Sequence, residues 1–178
     1  MNYGLIVTLA LLSLPALAQD VIKPRPSPLA IVSSRYKDSY IKITYSQPHK
    51  NGRTIFGGIV PFGQVWRTGA NEATELTISR DIKINGLDLK AGTYALLTIP
   101  DKDHWTIILN GDLGMWGAYN YNTAYDVLKF EVPVITTGDF VYEAFSILID
   151  PRNSKADIIL AWDRTKVVIP VQFQDPTP

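Results

Sequence analysis

Residues 66–72, with the sequence WRTGANE, hold the densest set of side chains that could do chemistry. Arg67 supplies a planar cation that can bind two oxygens at once, Asn71 supplies an amide that donates and accepts, and Glu72 supplies a carboxylate. Such a set could orient a carboxylate, a phosphate or sugar hydroxyls, with Trp66 as a stacking surface. In the alternative interpretation Arg67 and Glu72 pair with each other or cap backbone groups, and Asn71 closes a turn.

A second group of candidates lies between Asn110 and Asp126, where aromatic residues alternate with amides. Aromatic rings stack on the C–H faces of sugars while amides bond their hydroxyls, so this composition favours a carbohydrate ligand. The candidates within the group are Trp116 and Tyr119, with Asn110 and Asp126 at its ends. Alternatively, Trp116, Tyr119 and Tyr121 bury themselves and close the end of a β domain.

Metal and cofactor chemistry is not indicated. His49 and His104 are isolated and fit no zinc-ligand spacing, and the acidic residues 101–103 are explained more simply by a turn than by a calcium site. The chain has no cysteine, phosphate-binding loop, dinucleotide fingerprint or G-x-S-x-G elbow. The sequence therefore predicts no metal and no cofactor.

A hydrolase remains as the catalytic alternative. In that hypothesis Glu72 acts as general acid or base and Arg67 stabilises developing negative charge. Glu72 and Asp126 could also form a glycosidase pair, but such a pair depends on a separation that the sequence does not give.

Two irregular segments must position these candidates. Residues 51–74 contain five glycines and follow neither the period of a strand nor that of a helix, and residues 111–126 are similarly irregular. A long irregular loop in a small domain is usually functional or disordered, and the aromatic residues argue against disorder. We expect the two segments to meet and form a ligand-binding site to which Arg53 also contributes. The half of the first segment with the sequence NGRTIFGG is expected mainly to fold and anchor it.

The rest of the chain is predicted to be strands. Alternating apolar and polar residues, interrupted by turn residues, indicate strands at 39–46, 76–84 (interrupted at 80–81), 87–89, 93–99, 104–110, 127–135, 141–149 and 158–173 (with a turn at 163–164). Asn85-Gly86 predicts a type I′ hairpin turn, and Pro133 and Pro170 predict edges or bulges. The pattern predicts an all-β fold with little helix: a single antiparallel β-sandwich, jelly-roll-like or a partly closed barrel, with two long irregular loops.

The ends of the chain predict export. Residues 1–18 combine an apolar run with Ala16-Leu17-Ala18, the pattern of a cleaved secretory signal, so we expect a periplasmic or extracellular protein. Residues 19–28 form a Pro-rich extended leader, 29–174 the β domain and 175–178 a C-terminal tail. The apolar run is too short for a transmembrane segment. Seventeen basic and seventeen acidic residues give no sign of a nucleic-acid partner.

Several motifs together resemble a known family. GRTIFGG, WRTGANEAT, AGTY and WGAYNY, in this order, resemble the secreted bacterial family catalogued as domain of unknown function 2911, over about Ser27 to Phe173. The resemblance implies a signal peptide, a single β-rich domain and no established activity. Its motifs lie in the irregular segments, which favours a site over a purely structural role.

Three functions follow as hypotheses. The first is a module that binds a small polar ligand, such as a glycan, at a site formed by the two irregular segments. The second is the hydrolase that uses Glu72 and Arg67. The third is a structural envelope protein without a ligand. The sequence leaves the oligomeric state open.

Overall fold

The computed structural model describes residues 23–174, so the predicted signal peptide and C-terminal tail lie outside the described residues. Eleven strands and one 3-10 turn, Thr123–Tyr125, make up the regular structure of this part, and it contains no α-helix. The strands are β1 (Leu29–Tyr36), β2 (Ser39–Ser46), β3 (Ala70–Ile78), β4 (Ile82–Ile84), β5 (Leu87–Leu89), β6 (Gly92–Pro100), β7 (His104–Asn110), β8 (Asp126–Thr136), β9 (Tyr142–Arg152), β10 (Lys155–Asp163) and β11 (Thr165–Phe173).

The strands form one antiparallel, barrel-like sheet. Their order is β1-β2-β3-β6-β7-β8-β11-β10-β9, with the β4–β5 hairpin attached to β11. β8 joins the two halves, because its first part pairs with β7 and its last part, from Val134, pairs with β11. The end strands β1 and β9 lie side by side, so the sheet is nearly closed. The prediction of an antiparallel all-β fold is confirmed, in its partly closed form.

The segment after β2 closes the sheet at one end. Lys50 donates its backbone N–H to Glu143 O at 2.6 Å, and Phe145 donates to Pro48 O at 2.8 Å. These bonds pair the start of the first loop with β9, so the loop leaves the barrel from a fixed position. Closing the sheet in this way also leaves fewer unpaired backbone groups at the β9 edge.

Most predicted strands are present, and the exceptions have physical reasons. The pattern does not predict β1, whose apolar residues are consecutive rather than alternating, and Leu29 and Ile31 are more than 60% exposed. The first irregular segment was predicted to extend to residue 74, which is wrong because β3 begins at Ala70. The interruption at residues 80–81 separates two strands, β3 and β4.

The turn residues and prolines behave as their chemistry requires. Asn85 and Gly86 have φ of 48° and 80°, the left-handed values of a type I′ turn. Pro133 lies next to the point where β8 changes partners. Pro170 lies in β11 between the stretches paired with β8 and with β4, so its missing N–H breaks no ladder on that side.

An aromatic cluster occupies the core beneath the first loop. Trp66 stacks on Trp162 with ring centroids 5.9 Å apart, and Phe145 lies 5.0 Å from Trp66. Phe56 and Trp105 complete the cluster at 5.0 Å from each other. Because Phe56 and Trp66 belong to the loop, burial of their rings fixes the loop on the barrel.

Candidate functional site

The two irregular segments meet. Glu72 and Trp116 form an antiparallel bridge, Ala73 donates its N–H to Met115 O at 2.8 Å, and Gly117 donates to Asn71 O at 3.0 Å. This short ladder forms because the register between β2 and β3 shifts beside Thr44, which frees the first residues of β3 to pair with the second loop. Residues far apart in sequence therefore form one surface.

A cleft of about 520 Å³, which we call the loop cleft, lies between the two segments. One wall comes from the first loop and the other from the second. Its lining combines apolar side chains with a cation, an amide and two phenols: Ile59, Val60, Pro61, Gln64, Val65, Trp66, Arg67, Ala118, Tyr119 and Tyr121.

Arg67 is the charged residue of the loop cleft. Its Nη1 donates to Asn71 O at 3.2 Å, and within residues 23–174 no carboxylate forms an ion pair with it. Asn71 has φ of 58°, which turns its carbonyl to receive both Arg67 and Gly117. A Cβ on Gly117 would lie 3.1 Å from Arg67 Nη1 and 2.8 Å from the Tyr119 ring. Glycine at this position therefore lets the second loop approach the guanidinium.

The second wall rests on a partly buried polar network centred on Asn110. Asn110 is fully buried and donates through Nδ2 to Asp126 Oδ1 at 2.8 Å and to Asn122 O at 3.0 Å. Asp126 Oδ2 accepts from the Tyr121 hydroxyl at 2.7 Å. The pKa of Tyr121 is raised mainly by burial and to a smaller extent by this hydrogen bond, so its hydroxyl keeps its proton and remains a donor. The network fixes Tyr121 in the cleft, while Tyr119 beside it is 82% exposed.

A second cleft, of about 490 Å³, lies where β2 and β3 separate, and we call it the leader cleft. Residues 23–28 run past it, and Gln47 donates its N–H to Pro28 O at 2.8 Å. Arg25 reaches into it and donates through Nη1 to both oxygens of Glu72, at 2.8 and 2.9 Å. The lining consists of Arg25, Leu29, Thr44, Tyr45, Ser46, Glu72, Ala73, Glu75 and Gly114.

The environment of Glu72 favours its charged form. A hydrogen bond from its own backbone N–H and a second from Arg25 lower the pKa of the Glu72 carboxyl below its ordinary value. Because the pKa of Glu72 is lower in the folded than in the unfolded protein, its charged form stabilises the fold at any pH above the unfolded-state pKa. This stabilisation is lost as the pH falls through the folded-state pKa of Glu72.

We expect the Glu72 carboxyl to titrate at a lower pH than an ordinary glutamate, measured by carbon-detected NMR of the side chain. Arg25→Gln should raise the midpoint of this titration only part of the way to that of an ordinary glutamate, because the backbone hydrogen bond remains. Arg152→Gln removes a comparable exposed arginine, paired with Asp150, and should leave the midpoint where it was. A midpoint unmoved by Arg25→Gln would contradict the ion pair.

The structure distributes the nine candidate residues over several environments. Arg67, Tyr119 and the largely buried Trp66 line the loop cleft, and Asn71 lies beside it. Asn110 and Asp126 belong to the network beneath it, and Glu72 lines the leader cleft. Trp116 is 58% exposed, and Arg53 donates to the carbonyls of His49 and Lys50.

Two of the sequence interpretations concern pairings. Arg67 and Glu72 do not pair with each other; Glu72 binds Arg25 instead. Glu72 and Asp126 share neither cleft, so the glycosidase pairing has no common cavity.

Some residues of the two clefts were not candidates. Gln64 and Ile59 line the loop cleft, and their place in an irregular glycine-rich segment gave no period that would orient them. Arg25 lies between prolines, and no local pattern relates it to a carboxylate 47 positions away. Only the folded chain brings these residues to the site.

Residues 23–174 contain neither a metal-ligand cluster nor a membrane-spanning helix. In residues 23–174, no three or more His, Asp or Glu side chains are grouped so that they could hold a metal ion. No helix in the described part of the chain has the length and apolar character needed to cross a membrane.

Fold and site together define an antiparallel, nearly closed β domain whose two irregular loops meet beside a cleft. The chain belongs to the family described as protein of unknown function DUF2911, whose sequence profile matches residues 27–171. No curated protein matches the chain. No solved structure matches it either.

Proposed function

We propose that this domain binds a small polar ligand carrying a carboxylate, such as an acidic sugar unit of a glycan, in the loop cleft. The observation that carries the proposal is Arg67, which lines a cleft of about 520 Å³ without a carboxylate partner in residues 23–174. A partly buried guanidinium with free donors is a strong receptor for a planar anion. The signal-like residues 1–18 support a role outside the cytoplasm.

The other lining residues suit the body of such a ligand. Tyr119 exposes its ring at the mouth, where it can stack on an apolar sugar face, and Gln64 can donate to or accept from a hydroxyl. The Tyr121 hydroxyl is held by Asp126, which fixes its direction. A polar ligand would therefore meet one charge, one stacking surface, one oriented hydroxyl and one side-chain amide.

The hydrolase hypothesis receives no such support. Its proposed acid, Glu72, has a lowered pKa, which weakens it as a proton donor near neutral pH. Glu72 also lines the leader cleft, whereas Arg67 lines the loop cleft. The two groups that the mechanism needs thus lie in different cavities.

The experiment compares binding of D-glucuronate and of neutral D-glucose by NMR titration of the 15N-labelled protein. We expect glucuronate to bind more tightly and to shift amides of residues 117–121. Arg67→Gln should reduce its affinity about tenfold or more, as loss of a charge-assisted bidentate contact implies. Tyr119→Ala should reduce it about fivefold through lost stacking.

Two matched variants control for general effects. Arg53→Gln removes an arginine that also donates to loop carbonyls but lies outside the cleft, and Trp116→Ala removes an exposed aromatic ring of the second loop. Both should leave the affinity for glucuronate unchanged. Equal binding of glucuronate and glucose, or equal losses in Arg67→Gln and Arg53→Gln, would overturn the proposal.

A further inference from the structure

We propose that the leader cleft is a second binding site, specific for a guanidinium or ammonium group attached to an apolar body, and that Arg25 of the leader occupies it in cis. The site is independent of the loop cleft and selects the opposite charge. Three features carry the inference: the charge of the cleft walls, their apolar surface, and the manner in which Arg25 is bound.

The charge of the walls is negative once Arg25 is set apart. Glu72 and Glu75 both line the cleft, and the only lining cation comes from the leader rather than from the barrel. Within residues 23–174, Glu75 forms no ion pair, and Glu72 pairs with Arg25 alone. A lowered pKa keeps Glu72 ionised over the neutral range. The barrel therefore offers a carboxylate receptor for a cation.

The remaining surface is suited to hydrocarbon. Leu29 is 62% exposed, and it lines the cleft together with Tyr45 and Ala73. The opening lies at the register shift beside Thr44, so it is a gap built into the sheet between β2 and β3. A cation on a short alkyl chain could place its charge at Glu72 and cover the exposed apolar surface of Leu29.

The bound Arg25 shows which group the cleft accepts. Its Nη1 lies 2.8 and 2.9 Å from the two oxygens of Glu72. The leader that follows Arg25 is bound to the barrel, because Asn71 Nδ2 donates to Ser27 O at 3.4 Å and the Gln47 N–H donates to Pro28 O. Yet the side chains of Arg25 and Glu72 are 56% and 40% exposed. Exposed ion pairs are weak, so a cation supplied in trans can displace Arg25.

The test uses n-butylguanidinium as the cation and n-butylurea as a neutral analogue of similar shape, titrated into 15N-labelled full chain. We expect n-butylguanidinium to shift the amides of Glu72, Ala73 and Glu75 while n-butylurea does not. Arg25→Gln should tighten guanidinium binding about two- to fivefold, because the competing side chain is gone. Glu72→Gln, alone or with Arg25→Gln, should reduce it to the level of n-butylurea.

A matched control separates a site from a bare cluster of charges. Arg152 pairs with Asp150 and Asp157, so Arg152→Gln also exposes two carboxylates, but none of the three residues lines the leader cleft. This variant should gain no guanidinium binding. An equal gain in Arg152→Gln and Arg25→Gln, or binding that survives Glu72→Gln, would overturn the proposal. Arg67 lines only the loop cleft, so Arg67→Gln should leave n-butylguanidinium binding intact. A failure of glucuronate binding can therefore be distinguished from a failure of the leader cleft to bind n-butylguanidinium.

Discussion

Replacing Trp66 with alanine should lower the free energy of unfolding by about 3–5 kcal/mol, the usual cost of deleting a buried aromatic side chain. Trp66 is 9% exposed, and its ring contacts those of Phe56, Trp105, Phe145 and Trp162. Its Nε1 donates to Gly69 O at 3.0 Å, so alanine leaves both a cavity and a carbonyl without its donor. Urea unfolding followed by far-UV circular dichroism measures the loss.

Trp116→Ala is the matched control, because it removes the same side chain from the other half of the site. Trp116 is 58% exposed and joins Glu72 through backbone pairing, which alanine keeps. Its unfolding free energy should stay within about 0.5 kcal/mol of the wild type. Trp66→Phe should lie between the two, since it keeps a ring but loses the indole N–H. A Trp66→Ala variant as stable as Trp116→Ala would contradict the placement of Trp66 in the core.

These two tryptophans show where sequence interpretation reaches its limit. Both lie in irregular, glycine-rich segments beside polar residues, and no period assigns either of them to an inner or outer face. In the folded chain Trp66 packs in the core and Trp116 faces solvent. The difference arises from contacts with β9 and β10, which are distant in sequence.

The strands were more predictable, because alternation is a local signal. In β2, Ile41 and Ile43 are buried and Lys42 between them is exposed, as a two-residue period requires. The β4–β5 turn was predictable from Asn85-Gly86 alone. Strand β1 was not predictable, since its apolar residues 29–32 are consecutive and leave no alternating polar face.

The candidate site was predictable in part, for the same reason. Sequence indicated that two irregular segments should meet, and the contacts of Asn71 with Gly117 bring them together. It did not indicate that Arg67 and Glu72 would line different clefts. That separation depends on the register shift between β2 and β3 and on Arg25 of the leader, which are both non-local.

Replacing Asn110 with alanine should lower the free energy of unfolding by about 2–4 kcal/mol. The side chain is fully buried at the end of β7, where it bonds Asp126 and Asn122 and accepts from the Asp112 N–H at 2.9 Å. Alanine removes all three bonds and leaves a cavity at a fully buried position, while Asp126 and Asp112 lose a partner at sites only partly open to water. Asn120→Ala, at an exposed amide of the same loop, should cost less than about 0.5 kcal/mol.

Asn110→Asp tests the direction of the bond to Asp126. It replaces the donor Nδ2, 2.8 Å from Asp126 Oδ1, with an acceptor oxygen, so two carboxyl groups would face each other in a buried site. The introduced carboxyl should have a pKa above its unfolded value of about 3.9, so its penalty is absent below that pH and grows as the pH rises. Urea unfolding at pH 4 and pH 7, each against the wild type, should show the larger loss at pH 7.

Asn110→Ala supplies the comparison for that pH dependence, because it removes the same bonds without adding a charge. Its loss should differ less between the two pH values than that of Asn110→Asp. If the loss of stability in Asn110→Asp differs no more between pH 4 and pH 7 than the loss in Asn110→Ala, then Asn110 Nδ2 does not face the Asp126 carboxyl. The expected sign would agree with Asn110 Nδ2 facing Asp126, whose second oxygen accepts from the Tyr121 hydroxyl at the loop cleft.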